Sequence, residues 1–266
     1  MFEARLAKAV TLKRILDAIK DLCKEVNFSI DETGISMQSM DMSHVCLIAF
    51  ELIASGFDSF SCDAPLTLGI AVENLSKLLK CADADDAITM QVANTKTDVL
   101  TLVVESDGGT RVSTMDMKLM DIDTERLAIP EQSSSVKLSL PSATYQRIMR
   151  DLSSFGDTLR ITTDATGHFT TFNTSCDLGD IAVKLSESDD PNNNIRVDIK
   201  DTINSVFALR YMNTFAKASP LSATIQIEIV QCMPIRVHFD IDKHGFLEFF
   251  LAPKLDDDED EDEEVS

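Results

Sequence analysis

Tryptophan is absent from this 266-residue chain, tyrosine occurs twice, and aromatic residues make up only 6%. The hydrophobic fraction is nevertheless 44%, so the chain can bury a sizeable core, as two domains of ordinary size or one large one. No Cys-x-x-Cys pair occurs. Cys23, Cys46, Cys62, Cys81, Cys176 and Cys232 are scattered at spacings that do not suit zinc, and they read as thiols kept reduced in a reducing compartment. Apolar runs such as Val45–Phe50 fall far short of a membrane span, and Met1-Phe-Glu-Ala-Arg leads into structured-looking sequence rather than a signal peptide. A soluble intracellular protein, with no membrane partner, is the expectation. Catalytic patterns are missing too. His44, His168, His238 and His244 form no His-Glu-x-x-His, and there is no Gly-x-Ser-x-Gly elbow or phosphate-binding loop. The pairs Asp121/Asp123 and Asp240/Asp242 have the look of solvated loop or strand acids. These absences predict no catalytic residue, no metal, no cofactor and no enzymatic activity.

Basic residues are scarce as well: 24 Lys and Arg against 45 Asp and Glu, for a net charge of −21. Nine consecutive acids, Asp256–Glu264, carry part of that excess. Such a balance ordinarily argues against nucleic acid, but the few cations are not spread evenly. Four helix-like segments, Thr11–Lys24, Val72–Cys81, Pro141–Leu152 and Val206–Ala218, hold 10 of them: Lys13, Arg14, Lys20, Lys24, Lys77, Lys80, Arg147, Arg150, Arg210 and Lys217. Only Asp17, Asp21, Glu73 and Asp151 oppose these, so 49 residues carry +6 and the other 217 carry −27. At 100° per residue, Leu12, Ile15, Leu16 and Ile19 form one stripe of the first segment while Lys13, Lys20 and Lys24 cluster on another side. One amphipathic helix with a charged outer face is unremarkable. Four choosing the same sign in an acidic chain point to a polyanionic partner.

Strand signals dominate between these helices, at Val26–Ile30, Ile35–Met37, Ala87–Val92, Val99–Val104, Val136–Leu140, Ile195–Ile199, Ile225–Val230 and Ile235–Ile241. Turns fall at Asp31–Gly34, Ser106–Gly109 and Asp164–Gly167. An internal repeat underlies this order: Leu12-Lys-Arg-Ile-Leu matches Tyr145-Gln-Arg-Ile-Met at a spacing of 133, and Leu75–Lys80 matches Met212–Lys217 at 137. Two equivalent domains are expected, at about 1–118 and 136–254, each running strand, helix, strands, helix, strands. The fold class is then α+β, with antiparallel sheets and paired helices. A connecting loop at 119–135 keeps Leu127 and Ile129 beside Pro130. Those hydrophobes either staple the loop to its own domain or form one wall of a docking groove. Residues 255–266 read as an acidic disordered tail.

Several stretches match a known family in order and spacing. They are Met1-Phe-Glu-Ala-Arg-Leu, Gln38-Ser-Met-Asp-Met-Ser-His-Val45, Leu75-Ser-Lys-Leu-Leu-Lys-Cys-Ala82, Met117-Lys-Leu-Met-Asp121, Ile129-Pro-Glu-Gln132, Phe207-Ala-Leu-Arg-Tyr211 and Leu251-Ala-Pro-Lys254. Over essentially its full length the chain resembles the eukaryotic DNA sliding clamps, the proliferating cell nuclear antigen family. The resemblance implies a homotrimeric ring of six domains, helices lining the hole and sheets outside. It implies a nuclear polymerase processivity factor of replication, repair and translesion synthesis. Double-stranded DNA, bound without regard to sequence, would face Lys13, Arg14, Lys20, Lys77, Lys80, Arg147, Arg150, Arg210 and Lys217, with Arg111 at the edge.

The same resemblance implies that DNA polymerase, clamp loader, flap endonuclease and DNA ligase dock through short linear motifs. Their groove would use Met40, His44, Val45, Leu47, Leu127, Ile129, Pro234, Phe250, Ala252 and Pro253. Subunits would join by pairing Arg111–Met117 of one copy with Cys176–Lys184 of the next, through Arg111, Ser113, Met115, Met117, Cys176, Leu178, Asp180 and Ala182. Five positions depart from the family: Met37 stands where a leucine is usual, Met115 where an aromatic is frequent, Phe250 where a tyrosine is common, and Ser154 where a histidine is often found. Many members carry a modifiable lysine in the turn Asp164–Gly167, where this chain has Ala165. A rival reading, a ring of different subunits, predicts a lone chain that stays monomeric.

Overall fold

A computed structural model describes residues 1–93, 98–123, 133–191 and 193–254. The acidic stretch 255–266 and the loop residues Leu127 and Ile129 lie outside the described residues.

The first half of the chain runs β1 (Phe2–Leu6), α1 (Val10–Ile19), β2 (Glu25–Asp31), β3 (Gly34–Met40), β4 (Cys46–Ile53), β5 (Ser59–Cys62), β6 (Leu66–Ala71), α2 (Val72–Leu79), β7 (Ala87–Val92), β8 (Val99–Glu105) and β9 (Val112–Lys118). The second runs β10 (Val136–Pro141), α3 (Ser142–Ser153), β11 (Thr158–Asp164), β12 (Phe169–Cys176), β13 (Gly179–Ser186), β14 (Arg196–Ile199), β15 (Asn204–Ala208), α4 (Leu209–Phe215), β16 (Thr224–Ile229), β17 (Ile235–Asp240) and β18 (Gly245–Leu251). Strands and helices follow the same order in both halves. Pairing repeats as well: β5-β1-β7-β8-β9 corresponds to β14-β10-β16-β17-β18, and β4-β3-β2-β6 to β13-β12-β11-β15. Strands β5-β1-β7-β8-β9, β4-β3-β2-β6, β14-β10-β16 and β13-β12-β11-β15 pair antiparallel.

Contacts divide the chain into two compact units. One gathers the described residues of Met1–Pro130 with Pro220–Ser222 and His238–Phe249. The other gathers those of Glu131–Ser219, Ala223–Val237 and Phe250–Ser266.

Alternation explains the sheets. Strand β4 buries Cys46, Ile48, Phe50 and Leu52 in turn, and β11 buries Leu159, Ile161 and Thr163. Each fully buried Leu, Ile or Phe contributes about 1.5–3 kcal/mol relative to exposure. The helices bury their stripes: Leu12, Ile15, Leu16 and Ile19 in α1, and Tyr145, Ile148, Met149 and Leu152 in α3. The turn at Asp31 is closed by its carboxylate, which accepts from the Thr33 amide at 2.8 Å; Asp164 repeats this with Thr166 and Gly167 at 2.8 and 2.9 Å.

Both ends of α4 and the end of α1 differ from expectation by three residues or more. Val206–Ala208 is strand, because Val206 and Phe207 pair with Arg160 and Leu159 of β11, and that ladder outcompetes a helical start. Helix α4 therefore begins at Leu209, and a 3-10 segment, Ala216–Leu221, carries the chain past Pro220. Helix α1 ends at Ile19: Leu22 and Cys23 donate back to the Ile19 carbonyl at 2.9 Å, leaving Lys24 outside the helix, just before β2. Strands β1, β4, β5, β6, β9, β11, β12, β13, β15 and β18 lie outside the eight strand segments read from the sequence.

Candidate nucleic-acid and partner interfaces

Each compact unit carries a pair of adjacent helices whose buried stripes leave basic side chains outward. In the first unit the Lys13 Nζ donates to the Ala82 carbonyl at 2.7 Å, tying α1 to the turn after α2. Arg14, Lys20, Lys77 and Lys80 are exposed. Arg14 donates to the Pro220 carbonyl at 2.8 Å, so its charge remains uncompensated by that bond. In the second unit the buried Tyr145 hydroxyl donates to the Met212 carbonyl at 2.8 Å, and Gln146 donates to Ala216 at 3.3 Å, holding α3 beside α4. Arg147, Arg150, Arg210 and Lys217 are exposed there.

Local acids moderate the field without erasing it. Lys20 pairs with Asp17 at 2.6 Å and Lys77 with Glu73 at 2.7 Å; Arg147 and Arg150 share Asp151 at 3.5 and 3.4 Å. The hydrogen bond from Lys77, and then its charge, lower the Glu73 carboxyl below its usual range. Such exposed pairs are weak and screened by salt, so they orient side chains yet yield to a phosphate. Arg210 lies over the Tyr211 ring at 5.0 Å. Arg111 behaves differently: its guanidinium bonds Asp83 at 3.1 Å and the buried Asp86 at 2.8 Å. This buttress ties the half-exposed Arg111, at the entry to β9, to the turn before β7.

The stretch Met40–Leu47 is built around a buried carboxylate. Asp41 accepts from the amides of Ser43 (3.0 Å), Val45 (2.9 Å) and Cys46 (2.8 Å). Its own amide donates to Cys46, and its carbonyl accepts from His44, which adopts φ 56°. That cage presents His44 and Val45 to solvent and leaves Met40 and Leu47 half-buried. Burial around it pushes the Cys23 thiol up to about 11 and the Cys46 thiol higher still, leaving both unreactive. In the second unit, Phe250, Ala252 and Pro253 are half-buried and Pro234 exposed. Lys254 holds this end, its amide bonding Val206 at 2.7 Å and its Nζ bonding Thr158 at 2.6 Å.

The residues assigned to subunit contact lie on two sheet edges. Ser113, Met115 and Met117 face one side of β9, the last strand of its sheet. Met117 is buried and Met115 half-buried. Asp180 and Ala182 lie on β13, also a terminal strand, while Cys176 ends β12 and Leu178 stands 87% exposed in the turn between. An open groove of about 630 Å³ separates α3, at Thr144, Arg147 and Ile148, from β13 at Val183, Lys184 and Leu185.

One polar cluster escaped the sequence reading. His238 Nδ1 meets Glu248 at 2.7 Å and Nε2 meets Asp240 at 3.0 Å, beside the Phe246 ring. Burial opposes its charge, but the two carboxylates outweigh burial and raise the imidazole above its ordinary value. Only cross-strand pairing brings 238 to 248, so no local pattern could reveal it. Among the described residues no cluster of three or more His, Cys, Asp or Glu is arranged to hold a metal ion.

Residues 1–126 match the N-terminal domain of proliferating cell nuclear antigen, and residues 128–254 match its C-terminal domain. The clamps of this family are non-enzymatic trimers that encircle DNA and recruit replication enzymes. The chain belongs to the proliferating cell nuclear antigen family, as a DNA sliding clamp of α+β fold.

Proposed function

We propose that three copies close into a ring by joining β9 of one copy to β13 of the next, with Lys13, Arg14, Lys20, Lys77, Lys80, Arg147, Arg150, Arg210 and Lys217 turned toward duplex DNA. The observation that carries this reading is the repeat. Strand β18, the counterpart of β9, seats beside β4, the counterpart of β13, whereas β9 and β13 themselves end their sheets. Unpaired edges invite strand addition. The junction that each half makes once inside the chain is available once more on its outside.

Phosphate contacts from exposed Lys and Arg carry no sequence information and weaken with salt. Retention on DNA then comes from closure rather than affinity, which allows sliding. Met40, His44, Val45, Leu47, Leu127, Ile129, Pro234, Phe250, Ala252 and Pro253 are proposed to receive the linear motifs of polymerase, clamp loader, flap endonuclease and ligase in the nucleus. A few apolar anchors are what such small interfaces rely on. Arg111, which Asp83 and Asp86 orient, is proposed to serve both the subunit edge and the edge of the DNA-facing set.

The test separates topology from affinity. The protein is loaded onto nicked circular duplex DNA and isolated at high salt, and the circle is then cut once. Retention on the circle with loss from the linear form is expected. Equal loss from both would overturn the encircling reading.

A further inference from the structure

Phe155 is 44% exposed at the end of α3, an uncommon place for an exposed aromatic in a chain with so few of them. The repeat identifies its counterpart. Phe155 and Gly156 donate to the Leu152 carbonyl at 3.0 and 3.3 Å, as Leu22 and Cys23 donate to Ile19. Phe155 therefore corresponds to Leu22, which is only 8% exposed.

The last strands of the two halves, β18 and β9, can be matched in the same way. His238 and Glu248 are cross-strand neighbours, as are Val103 and Thr114 in the first half. The next inward-facing residue is Phe249 in one case and Met115 in the other. Phe249 is fully buried and crosses the Phe239 ring edge-on at 6.1 Å, whereas Met115 is half-buried. Where the strands are joined, at β18 and β4, the matched positions are an aliphatic at the helix end, Leu22, and an aromatic on the strand, Phe249. At the open edges the two types are exchanged: Phe155 from the helix end, Met115 from the strand.

Geometry keeps Phe155 next to the open edge. A Cβ on Gly156 would lie 2.2 Å from Thr174 Oγ1 and 3.1 Å from the Ser175 carbonyl, so this turn sits against the end of β12. Thr174 and Ser175 pair with Ile181 and Asp180 of β13. The groove between α3 and β13 runs along the same edge.

We infer that Phe155 is an aromatic anchor of the subunit interface, packing against Met115 of a second copy of this chain and supplying the ring that β9 lacks. The inference rests on the ring reading above. An aromatic on either side can fill the shared space, but volume-conserving exchange is tolerated while two rings crowd it. Methionine is suited to the partner position because its flexible thioether conforms to an aromatic face.

The test is a mutant cycle on the full chain, read as the trimer's dissociation midpoint by concentration-dependent sedimentation. Phe155→Leu is expected to raise the midpoint about 10-fold or more, the effect of losing an interface anchor. Met115→Phe should fail to strengthen the parent trimer, yet restore Phe155→Leu to within about 3-fold of the parent. Hydrogen exchange gives a second readout without substitution: protection at 154–156 should increase with protein concentration. An unchanged midpoint for Phe155→Leu would overturn the inference, as would equal effects of Met115→Phe in both backgrounds. If Thr114→Glu with Ala182→Glu still dissociates the ring in that case, the ring reading survives and Phe155 lies outside the interface. A parent chain that is monomeric at every concentration would overturn both.

Discussion

The two halves of the molecule differ most in what happens to the last strand. Strand β18 lies beside β4 and is closely packed: a Cβ on Gly245, at φ 138°, would fall 1.9 Å from the Glu51 carbonyl. Strand β9 has the same place in its own half and ends its sheet with Val112 58% exposed. One sequence plan thus yields a closed junction and an open one. Backbone approach and cross-strand chemistry make the first part of the fold. The second is completed only by another chain, which is how a repeated domain becomes a repeated subunit.

The comparison breaks most severely if the open edges are charged. Thr114 and Ala182 are exposed, and like charges facing across joined strands are repulsive. Thr114→Glu with Ala182→Glu should weaken trimer association roughly 100-fold while leaving the thermal unfolding of each chain nearly unchanged. Association at the parent midpoint would show that these strands do not meet. The mirror experiment addresses the closed junction. Gly245→Ala strains a left-handed residue against a neighbouring carbonyl and should remove about 2 kcal/mol from unfolding stability in denaturant titrations. An unaltered midpoint would mean that β18 and β4 approach less closely than described.

Charge on the helices should be separable from both junctions. Lys20→Glu, Lys77→Glu and Arg210→Glu together should reduce loading and polymerase stimulation about 10-fold or more at moderate salt, with the trimer intact. Unchanged stimulation over a range of salt would remove DNA from these faces. Leu127→Ala with Ile129→Ala should weaken a linear-motif peptide about 10-fold in a titration if those side chains are anchors, and unaltered affinity would move the groove elsewhere.

The smallest effect belongs to His238. Glu248 and Asp240 raise its folded pKa, so its contribution is fully present below the unfolded value near 6.5 and disappears as pH rises through the folded one. Unfolding stability should therefore fall modestly as pH rises above that unfolded value, and His238→Gln should flatten the slope. Equal slopes in the two proteins would show that the imidazole is not held charged.

Much of this was legible in the residues, and the reasons for the remainder are specific. Helical periodicity revealed the four basic faces because burial of Leu12, Ile15 and Ile19 fixes where Arg14 and Lys20 must point. The same signal overran into Val206–Ala208, since apolar residues of a buried strand satisfy a helical wheel equally well over a few positions. Strands such as β12, which buries Thr170 and Thr174 and leaves Phe169 on its outer face, carry too little contrast for pattern alone. The His238 cluster and the Phe155 position are relations between distant residues, and become visible only when the two halves are compared in space.

Native mass of the unmodified chain across a concentration series tests the central claim most directly. A species of three chains that resolves into single chains on dilution is predicted, with no stable dimer. A persistent monomer at high concentration would contradict the account, because the edges of β9 and β13 would then have no mate in a second copy.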